Sequence, residues 1–215
     1  MTLNKFDIKT LFNFPPPEMD KPIIFIIGRR ATGKTLLICD ILYHYTKNQE
    51  NGTVITSTDR DVYRESIPNS HIHEQYNPSI IENIVKQPNK NSFLVLDNCM
   101  YDLSWIRDNS MRMIFEYGYC WGVMLIMALD YPLAIPPVMK QKIDYTFILR
   151  DSYIPNRRRI YEQYASSIFP SFELFCSILD NCTEDYNCLV IKNNCESCDL
   201  YDKIFYYRAE IHNLL

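Results

Sequence analysis

The chain has 215 residues and a mass of 25.5 kDa, which suffices for one α/β domain with a substantial core and is short for two independent enzymatic domains. Apolar residues make up 47% of the chain and charged residues 22%, a globular balance that excludes wholesale disorder and a coiled coil. The net charge of −4 argues against a protein that coats nucleic acid through bulk positive charge.

Apolar runs alternate with helical patterns along most of the chain. The predicted strands are Ile23–Ile27, Thr53–Thr56, Phe93–Leu96, Val123–Leu129 and Tyr145–Leu149. The predicted helices between them are Leu36–Tyr45, Pro78–Lys86 and Ile106–Tyr117. Strands separated by helices require crossover connections, so this pattern predicts an α/β fold with a mostly parallel sheet and helices on both faces.

The two ends of the chain differ from this alternating pattern. Residues 1–21 contain Pro15–Pro17 and are predicted to form an N-terminal arm, followed by a core over residues 22–169. Residues 170–215 are predicted to form a small C-terminal α+β extension that packs on the core. Around this boundary the predicted helices are Arg157–Ala165 and Phe172–Leu179, and the short apolar runs are Cys188–Ile191 and Ile204–Tyr207.

The ends also bear on the location of the protein. No apolar run approaches the roughly 20 residues that a membrane span needs. The N-terminus lacks the apolar core and the cleavage site of a secretory signal peptide. We therefore expect a cytosolic protein, in which the eight cysteines are reduced by default.

Residues 28–35 carry the most specific motif of the chain. They read Gly-Arg-Arg-Ala-Thr-Gly-Lys-Thr and fit the phosphate-binding loop pattern G-x-x-x-x-G-K-[ST] at every fixed position. The loop lies between a predicted strand and a predicted helix, where backbone N–H groups and the helix N-terminus favour an anion. The predicted ATP-binding residues are Gly28, Arg29, Arg30, Ala31, Thr32, Gly33, Lys34 and Thr35. In this role Lys34 bridges the β- and γ-phosphates and Thr35 ligates Mg²⁺.

The other candidate catalytic residues follow two later strands. Asp97 ends an apolar run and is predicted to hold Mg²⁺ together with Thr35. The next residue is Asn98, at a place where many P-loop ATPases carry a second acid. An amide orients water but cannot accept its proton, so the general-base function is in doubt. Asp130 follows Val123–Leu129 and is predicted to lie between the P-loop and the Asp97 strand, either as a strand cap or as the missing base.

Two further groups of residues leave alternatives open. A basic strip over residues 140–159 either grips DNA phosphates, supplies an arginine to a neighbouring subunit, or pairs with the acidic C-terminal third. Its members are Lys140, Lys142, Arg150, Arg157, Arg158 and Arg159. Four cysteines either remain reduced structural thiols or bind Zn²⁺, namely Cys182, Cys188, Cys195 and Cys198. His71 and His73 are predicted to lie on the surface in a polar loop.

Beyond these motifs, the chain resembles the genome-packaging ATPases of nucleocytoplasmic large DNA viruses, in the FtsK/HerA-like branch of P-loop ATPases. The likeness runs nearly end to end and includes, besides the P-loop, FLVLDNCMYDLSW and YPLAIPPVMKQKIDYTFILRDSYIPNRRRIYEQYA. It implies a RecA-like ASCE fold that forms a homo-oligomeric ring, binds ATP and Mg²⁺ and drives double-stranded DNA into a capsid.

The resemblance also implies partners and a location. The implied partners are capsid or other virion assembly proteins, and an inner membrane of the virion, which the sequence itself does not support. The implied location is the cytoplasm of an infected host cell, in the virus factory, or the virion.

Several positions depart from the pattern of that family. The family usually shows aspartate at Asn98, arginine at Tyr119 and glutamine at Asp130, and it has arginine and asparagine at Lys140 and Lys142. The main hypothesis is therefore an ATP-hydrolysing DNA translocase, and the alternative is a nucleotide-binding, hydrolysis-impaired paralogue that acts as an assembly subunit. A small-molecule kinase is a third hypothesis, for which the sequence shows no acceptor site or lid.

Overall fold

The computed structural model describes residues 3–12, 21–45, 52–58, 60–64, 71–88, 91–99 and 103–212. None of the helices in these ranges combines the length and the apolar character that crossing a bilayer requires. Pro15–Pro17, which motivated the predicted N-terminal arm, lie outside the described residues.

One eight-stranded sheet organises this part of the chain. The strands are β1 (Ile23–Ile27), β2 (Gly52–Thr56), β3 (Ile72–His73), β4 (Ser92–Asp97), β5 (Val123–Leu129), β6 (Tyr145–Ile148), β7 (Asn187–Lys192) and β8 (Ile204–Arg208). Their order across the sheet is β3-β2-β4-β5-β1-β6-β7-β8. The first six strands in this order pair in parallel, and β7 and β8 add an antiparallel edge. The prediction of a mostly parallel sheet is confirmed.

Helices connect the parallel strands. They are α1 (Lys34–Tyr45), α2 (Arg60–Arg64), α3 (Pro78–Lys86), α4 (Asn109–Tyr117), α5 (Pro137–Lys140), α6 (Ile154–Ile160) and α7 (Phe172–Cys182). A π-helical turn over Tyr161–Ala165 continues α6. The predicted helix Ile106–Tyr117 is instead interrupted at Asp108, whose carboxylate accepts a hydrogen bond from the Ser110 backbone N–H at 2.9 Å and caps α4.

The sheet is buried on both faces, as continuous apolar strands of a parallel sheet require. In β1, Ile23, Phe25 and Ile27 face an apolar cluster that includes residues of α3, α4, α6 and α7. Ile24 and Ile26 point to the opposite cluster, which includes the buried face of α1. The prediction that helices cover both faces of the sheet is confirmed. Because β1 is packed on both faces, the loop that follows it starts from a rigid strand.

Both chain ends join the sheet. β7 and β8, which fall in the predicted extension over residues 170–215, pair directly onto the core strand β6. Near the other end, the Phe6 backbone N–H donates to the Tyr206 carbonyl oxygen at 2.8 Å, and the Phe6 ring is buried. The division into arm, core and extension stays a prediction, although contacts cross each of its boundaries.

The sequence did not predict the short edge strand β3. His73 lies in the two-residue strand β3, where it pairs with Ile55 of β2, and both His71 and His73 are half-buried. His73 therefore lies in a strand rather than in the predicted polar loop, and both histidines keep part of their surface exposed. β3 exists because it pairs with β2, and two residues are too few to show the alternation of apolar and polar residues by which a strand is predicted.

Candidate nucleotide site

The carboxyl ends of three neighbouring strands bring the predicted site residues together. β5 pairs in parallel with β1 on one side and with β4 on the other. The P-loop follows β1, Asp97 ends β4, and Asp130 follows β5 directly. Asp130 therefore lies between the P-loop and the Asp97 strand, as predicted, at the sheet edge where α/β proteins bind ligands.

The P-loop backbone follows a tight path that depends on its small residues. A Cβ atom at Gly28 would lie 2.7 Å from Thr32 Oγ1 and 2.9 Å from Leu149 Cβ, so a side chain does not fit there. Gly33 has a φ of 102°, and Ala31 adopts the left-handed region with a φ of 63°. Strained backbone of this kind clusters at ligand-binding loops.

Lys34 lies beneath this loop and is buried. Its ammonium group donates to the carbonyl oxygens of Gly28 at 2.9 Å and Arg29 at 3.0 Å. Its third contact is an ion pair with Asp130, whose side chain is 33% exposed. A phosphate bound in the loop would therefore compete with the Asp130 carboxylate for the same ammonium group.

Thr35 and Asp97 meet beside Lys34. The Thr35 hydroxyl donates to Asp97 Oδ2 at 3.1 Å, and the hydroxyl of buried Tyr63 donates to the same oxygen at 2.9 Å. A hydroxyl and a carboxylate in contact at the N-terminus of α1 form the oxygen donor pair that holds Mg²⁺ in P-loop proteins. The residues present therefore fit Mg²⁺. No sequence signal pointed to Tyr63, which reaches Asp97 from α2 across the sheet edge.

Asn98 follows the last residue of β4 and has an unusual backbone conformation. Its φ of 52° lies in the left-handed region that asparagine and aspartate tolerate better than most residues. Its backbone N–H donates to the Ala128 carbonyl oxygen at 3.3 Å, and its own carbonyl accepts from the Ser57 hydroxyl at 3.0 Å. The side-chain oxygen Oδ1 is buried and has no hydrogen-bond partner among the described residues. The structure thus places Asn98 next to Asp97 with its contacts on neighbouring strands.

A cavity of about 520 Å³ opens beside the P-loop. Residues 29–32 of the loop line one side, and the turn between α7 and β7 lines the other. In that turn Asp185 and Tyr186 have φ values of 52° and 61°, and the Tyr186 side chain is 72% exposed. Three guanidinium groups, those of Arg29, Arg30 and Arg150, make the lining attractive to an anion. The turn belongs to the C-terminal part of the chain, which the sequence did not connect with the site.

The basic strip does not form one surface. Arg157 is buried, and its guanidinium forms a bidentate ion pair with the Asp180 carboxylate, in which Nη1 lies 2.9 Å from Oδ2. Arg158 stacks over the Phe172 ring at 3.8 Å, and Arg159 contacts Tyr131. For Arg157 the alternative of pairing with the acidic C-terminal third is confirmed. Contacts of the remaining strip residues with DNA or with a neighbouring subunit stay predictions.

We expect Arg157→Met to lower the free energy of unfolding by about 2 kcal/mol. Arg157 Nε also donates to the carbonyl oxygen of Asp151, a buried residue, so the variant leaves this acceptor unpaired. The pair with Asp180 contributes less, because the Asp180 side chain is 50% exposed and regains water. Urea titration measures the change, and Arg208→Met, at an exposed arginine of β8, is the control.

The difference should also depend on pH. The hydrogen bond from Arg157 lowers the pKa of the Asp180 carboxyl, so this contribution is present above the ordinary aspartate pKa of about 3.9. It disappears as the pH falls through the lowered pKa of the folded state. The gap between wild type and Arg157→Met should therefore narrow in acid by the contribution of the Asp180 pair, while the part that comes from the unpaired Asp151 carbonyl remains. A gap that stays constant down to that range would contradict the ion-pair contribution.

The four clustered cysteines do not assemble a zinc site. Burial raises the pKa of the Cys182 thiol to about 12, and the fully buried Cys188 thiol donates to the Tyr207 carbonyl oxygen at 3.3 Å. Cys195 and Cys198 lie on a more exposed turn. All eight cysteines are among the described residues, and within that set no three of them gather as metal ligands. Reduced structural thiols stay the prediction for these cysteines.

Solved structures with the same architecture identify the class of fold. The genome packaging NTPase B204 from Sulfolobus turreted icosahedral virus 2, in complex with ATP-γS, superposes with a TM-score of 0.59 at 12% identity, covering 87% of this chain and 96% of that chain. The pCW3 conjugation coupling protein TcpA, in its monomer form with ATPγS, gives a TM-score of 0.60 at 10% identity, covering 96% and 69%. The chain shares the fold of these two proteins, a mostly parallel sheet with helices on both faces, and carries an antiparallel C-terminal edge.

Sequence comparison then places the chain in a family. No model of a known protein family matches it. Uncharacterized protein 088R of invertebrate iridescent virus 3 is 32% identical over 211 residues, which cover 94% of this chain and 80% of that protein. The chain belongs to the same protein family as 088R.

Proposed function

We propose that this protein is an ATP-hydrolysing motor that translocates double-stranded viral DNA into a capsid. The observation that carries the proposal is the contact of Thr35 with Asp97 directly beside the buried Lys34. This arrangement fits a Mg²⁺-nucleotide better than a generic anion, because it supplies both a cation for the phosphates and oxygen ligands for the metal. The fold shared with a genome packaging NTPase and a conjugation coupling protein supports the choice of a DNA motor.

Each site residue has a defined role in this proposal. The ammonium group of Lys34 stabilises negative charge on the transferring phosphoryl group, and the backbone of residues 28–33 holds the phosphates. Thr35 and Asp97 would hold Mg²⁺, which neutralises charge on the phosphates when bound. Tyr63 orients Asp97 through its hydrogen bond.

The wider role follows from the same proposal. The protein would act as a homo-oligomeric ring around double-stranded DNA in the cytoplasm of an infected cell, with capsid or other virion assembly proteins as partners. Among the residues of the basic strip, Arg150 lies at the cavity beside the P-loop, where it can reach nucleotide.

Steady-state ATP hydrolysis with and without linear double-stranded DNA tests the proposal directly. We expect turnover that requires Mg²⁺ and rises with DNA, since a translocase couples hydrolysis to its track. The stimulation should weaken as salt screens the phosphate contacts. A purified oligomer that shows no DNA-stimulated turnover at any salt concentration would contradict the proposal of a DNA-translocating motor.

The alternative is a nucleotide-binding paralogue that hydrolyses ATP poorly, and the surroundings of Asn98 favour it. The amide oxygen is buried beside Asp97, where the family resemblance implies a carboxylate. Asn98→Asp keeps the size of the side chain and tolerates the positive φ, but it adds a second carboxylate beside buried Asp97. Circular dichroism therefore has to show that the variant is folded before its turnover is compared. Under the alternative, wild type binds ATP without turnover and Asn98→Asp gains turnover. A wild-type enzyme that is already active and is unchanged by Asn98→Asp would exclude it.

Tyr186 provides a prediction on nucleotide binding. Its exposed ring lies on a turn with positive φ that lines the cavity beside the P-loop, and we propose that it stacks on the nucleobase. Because aromatic stacking on a base contributes about 1–3 kcal/mol, Tyr186→Ala should weaken ATP binding about tenfold. Calorimetric titration with ATP measures the effect, and inorganic triphosphate should bind both proteins equally. Tyr201→Ala serves as a control on another turn.

A further inference from the structure

A second cluster of ionisable side chains lies away from the P-loop. Asp40 and His44 lie one turn apart on α1, and the segment after β8 brings His212 to the same place. One oxygen or nitrogen atom from each of these three side chains lies within 4.8 Å of the other two. This is the one such group of three or more metal-ligating residues in the ranges that the structure describes.

The carboxylate of Asp40 is fully buried and has two distinct sides. Oδ2 accepts hydrogen bonds from the Tyr207 hydroxyl at 2.5 Å and from the Glu210 backbone N–H at 3.3 Å. Oδ1 instead faces two imidazoles, with His212 Nε2 at 2.6 Å and His44 Nε2 at 3.5 Å. The protein thus orients one oxygen with fixed donors and directs the other at two histidine nitrogens.

A buried carboxylate requires compensating positive charge. Within the described part of the chain, the ion-pair partners of Asp40 are the two histidines alone. A protonated imidazole would supply that charge through a hydrogen bond to Oδ1, and a divalent cation between the carboxylate and two neutral imidazoles would supply it through coordination. The side chains of His44 and His212 are 20% and 16% exposed, so an ion can enter from solvent between them.

We propose that Asp40, His44 and His212 bind a divalent transition-metal ion, with Zn²⁺ as the best match. Two imidazole nitrogens and one carboxylate oxygen are a donor set typical of Zn²⁺, whereas Mg²⁺ prefers oxygen ligands alone. A water molecule completes the tetrahedron on the exposed side. The hydrogen bonds of Tyr207 and Glu210 to Oδ2 hold the carboxylate in place behind the metal.

The metal would connect two distant parts of the chain. Asp40 and His212 are 172 residues apart, and the His212 ring stacks on Tyr43 of α1 with the ring centroids 3.6 Å apart. Because α1 begins at the P-loop lysine, the site anchors the C-terminal segment to the helix that supports the nucleotide site. Zinc binding should therefore raise the thermal stability of the whole domain.

The test is zinc titration of the metal-depleted protein by calorimetry, in the presence of millimolar Mg²⁺ to occupy Thr35 and Asp97. We expect one Zn²⁺ per chain and a rise in melting temperature. His44→Ala and His212→Ala should each weaken binding at least about tenfold and abolish the thermal shift. His73→Ala and the double variant Cys195→Ser/Cys198→Ser are controls, and both should bind like wild type.

X-ray absorption at the zinc edge identifies the ligands independently of the variants. We expect nitrogen and oxygen neighbours at about 2.0–2.1 Å with no sulfur shell. Absence of zinc binding at micromolar concentrations, normal binding by both histidine variants, or a zinc–sulfur distance near 2.3 Å would each overturn the proposal. Circular dichroism verifies that the variants remain folded, and His44 and His212 offer two separate tests on different elements.

Discussion

Replacement of Lys34 by alanine is expected to lower ATP turnover about 100- to 1,000-fold, the loss seen when a single preorganised charge-stabilising group is removed. Lys34 is the buried cation of the P-loop, and its ammonium group is held by the Gly28 and Arg29 carbonyls. The fold should survive, because the Asp130 side chain left behind is partly exposed and becomes hydrated. Turnover at saturating ATP, with and without DNA, measures the effect.

The comparison with Asp130→Asn makes this prediction sharper. If Asp130 only restrains Lys34, Asp130→Asn should tighten ATP binding about fivefold, as expected for release of a partly exposed ion pair of roughly 1 kcal/mol, and should preserve turnover. If Asp130 is instead the missing base, turnover should fall with binding unchanged. Lys86→Ala removes an exposed lysine of α3, outside the basic strip, and should have no effect. Full activity of Lys34→Ala would show that nucleotide is bound elsewhere.

Asp97→Asn should abolish turnover that depends on Mg²⁺, with a loss of about 100-fold or more. The substitution keeps the shape of the side chain and removes the negative charge that attracts the metal. Binding of ATP without Mg²⁺ should be nearly unchanged, since the P-loop backbone and Lys34 remain. Titration of turnover against Mg²⁺ concentration measures the shift, and Asp61→Asn, on a highly exposed side chain of α2, is the control.

Tyr63→Phe tests whether the contact with Asp97 positions the metal ligand. The variant keeps the buried ring and removes the hydroxyl that donates to Asp97 Oδ2 at 2.9 Å. A positioning role predicts an increase of about tenfold in the Mg²⁺ concentration needed for half-maximal turnover, with maximal turnover restored at high Mg²⁺. A lower maximal turnover at unchanged Mg²⁺ dependence would contradict this role.

Much of the fold could be predicted from local sequence. The strands Ile23–Ile27 and Val123–Leu129 were predicted with their observed bounds, because central strands of a parallel sheet are continuously apolar. The helix Pro78–Lys86 was also predicted as observed, since Asn77 caps it and Pro78 occupies its first turn. The two-residue strand β3 was missed, because only pairing with β2 defines it.

Some residues of the candidate site could also be predicted from the sequence, and others could not. The P-loop residues and Asp97 were predicted from motif and spacing, since phosphate binding by backbone N–H groups needs a contiguous segment with glycines at fixed positions. Tyr63 and Tyr186 were missed, because each reaches the site from an element that is distant in sequence. The sequence placed a zinc alternative on four cysteines, whereas the structure assembles a donor set from Asp40, His44 and His212.

By itself, the sequence determined the α/β class, the positions of the main strands along the chain and the phosphate-binding loop, because these depend on short-range periodicity and on a contiguous motif. The tertiary structure alone decided which distant side chains meet. It paired Lys34 with Asp130, directed Tyr63 at Asp97 and brought His212 to Asp40 across 172 residues. These contacts depend on strand order and on the path of the crossover connections, and no local pattern of residues encodes either of them.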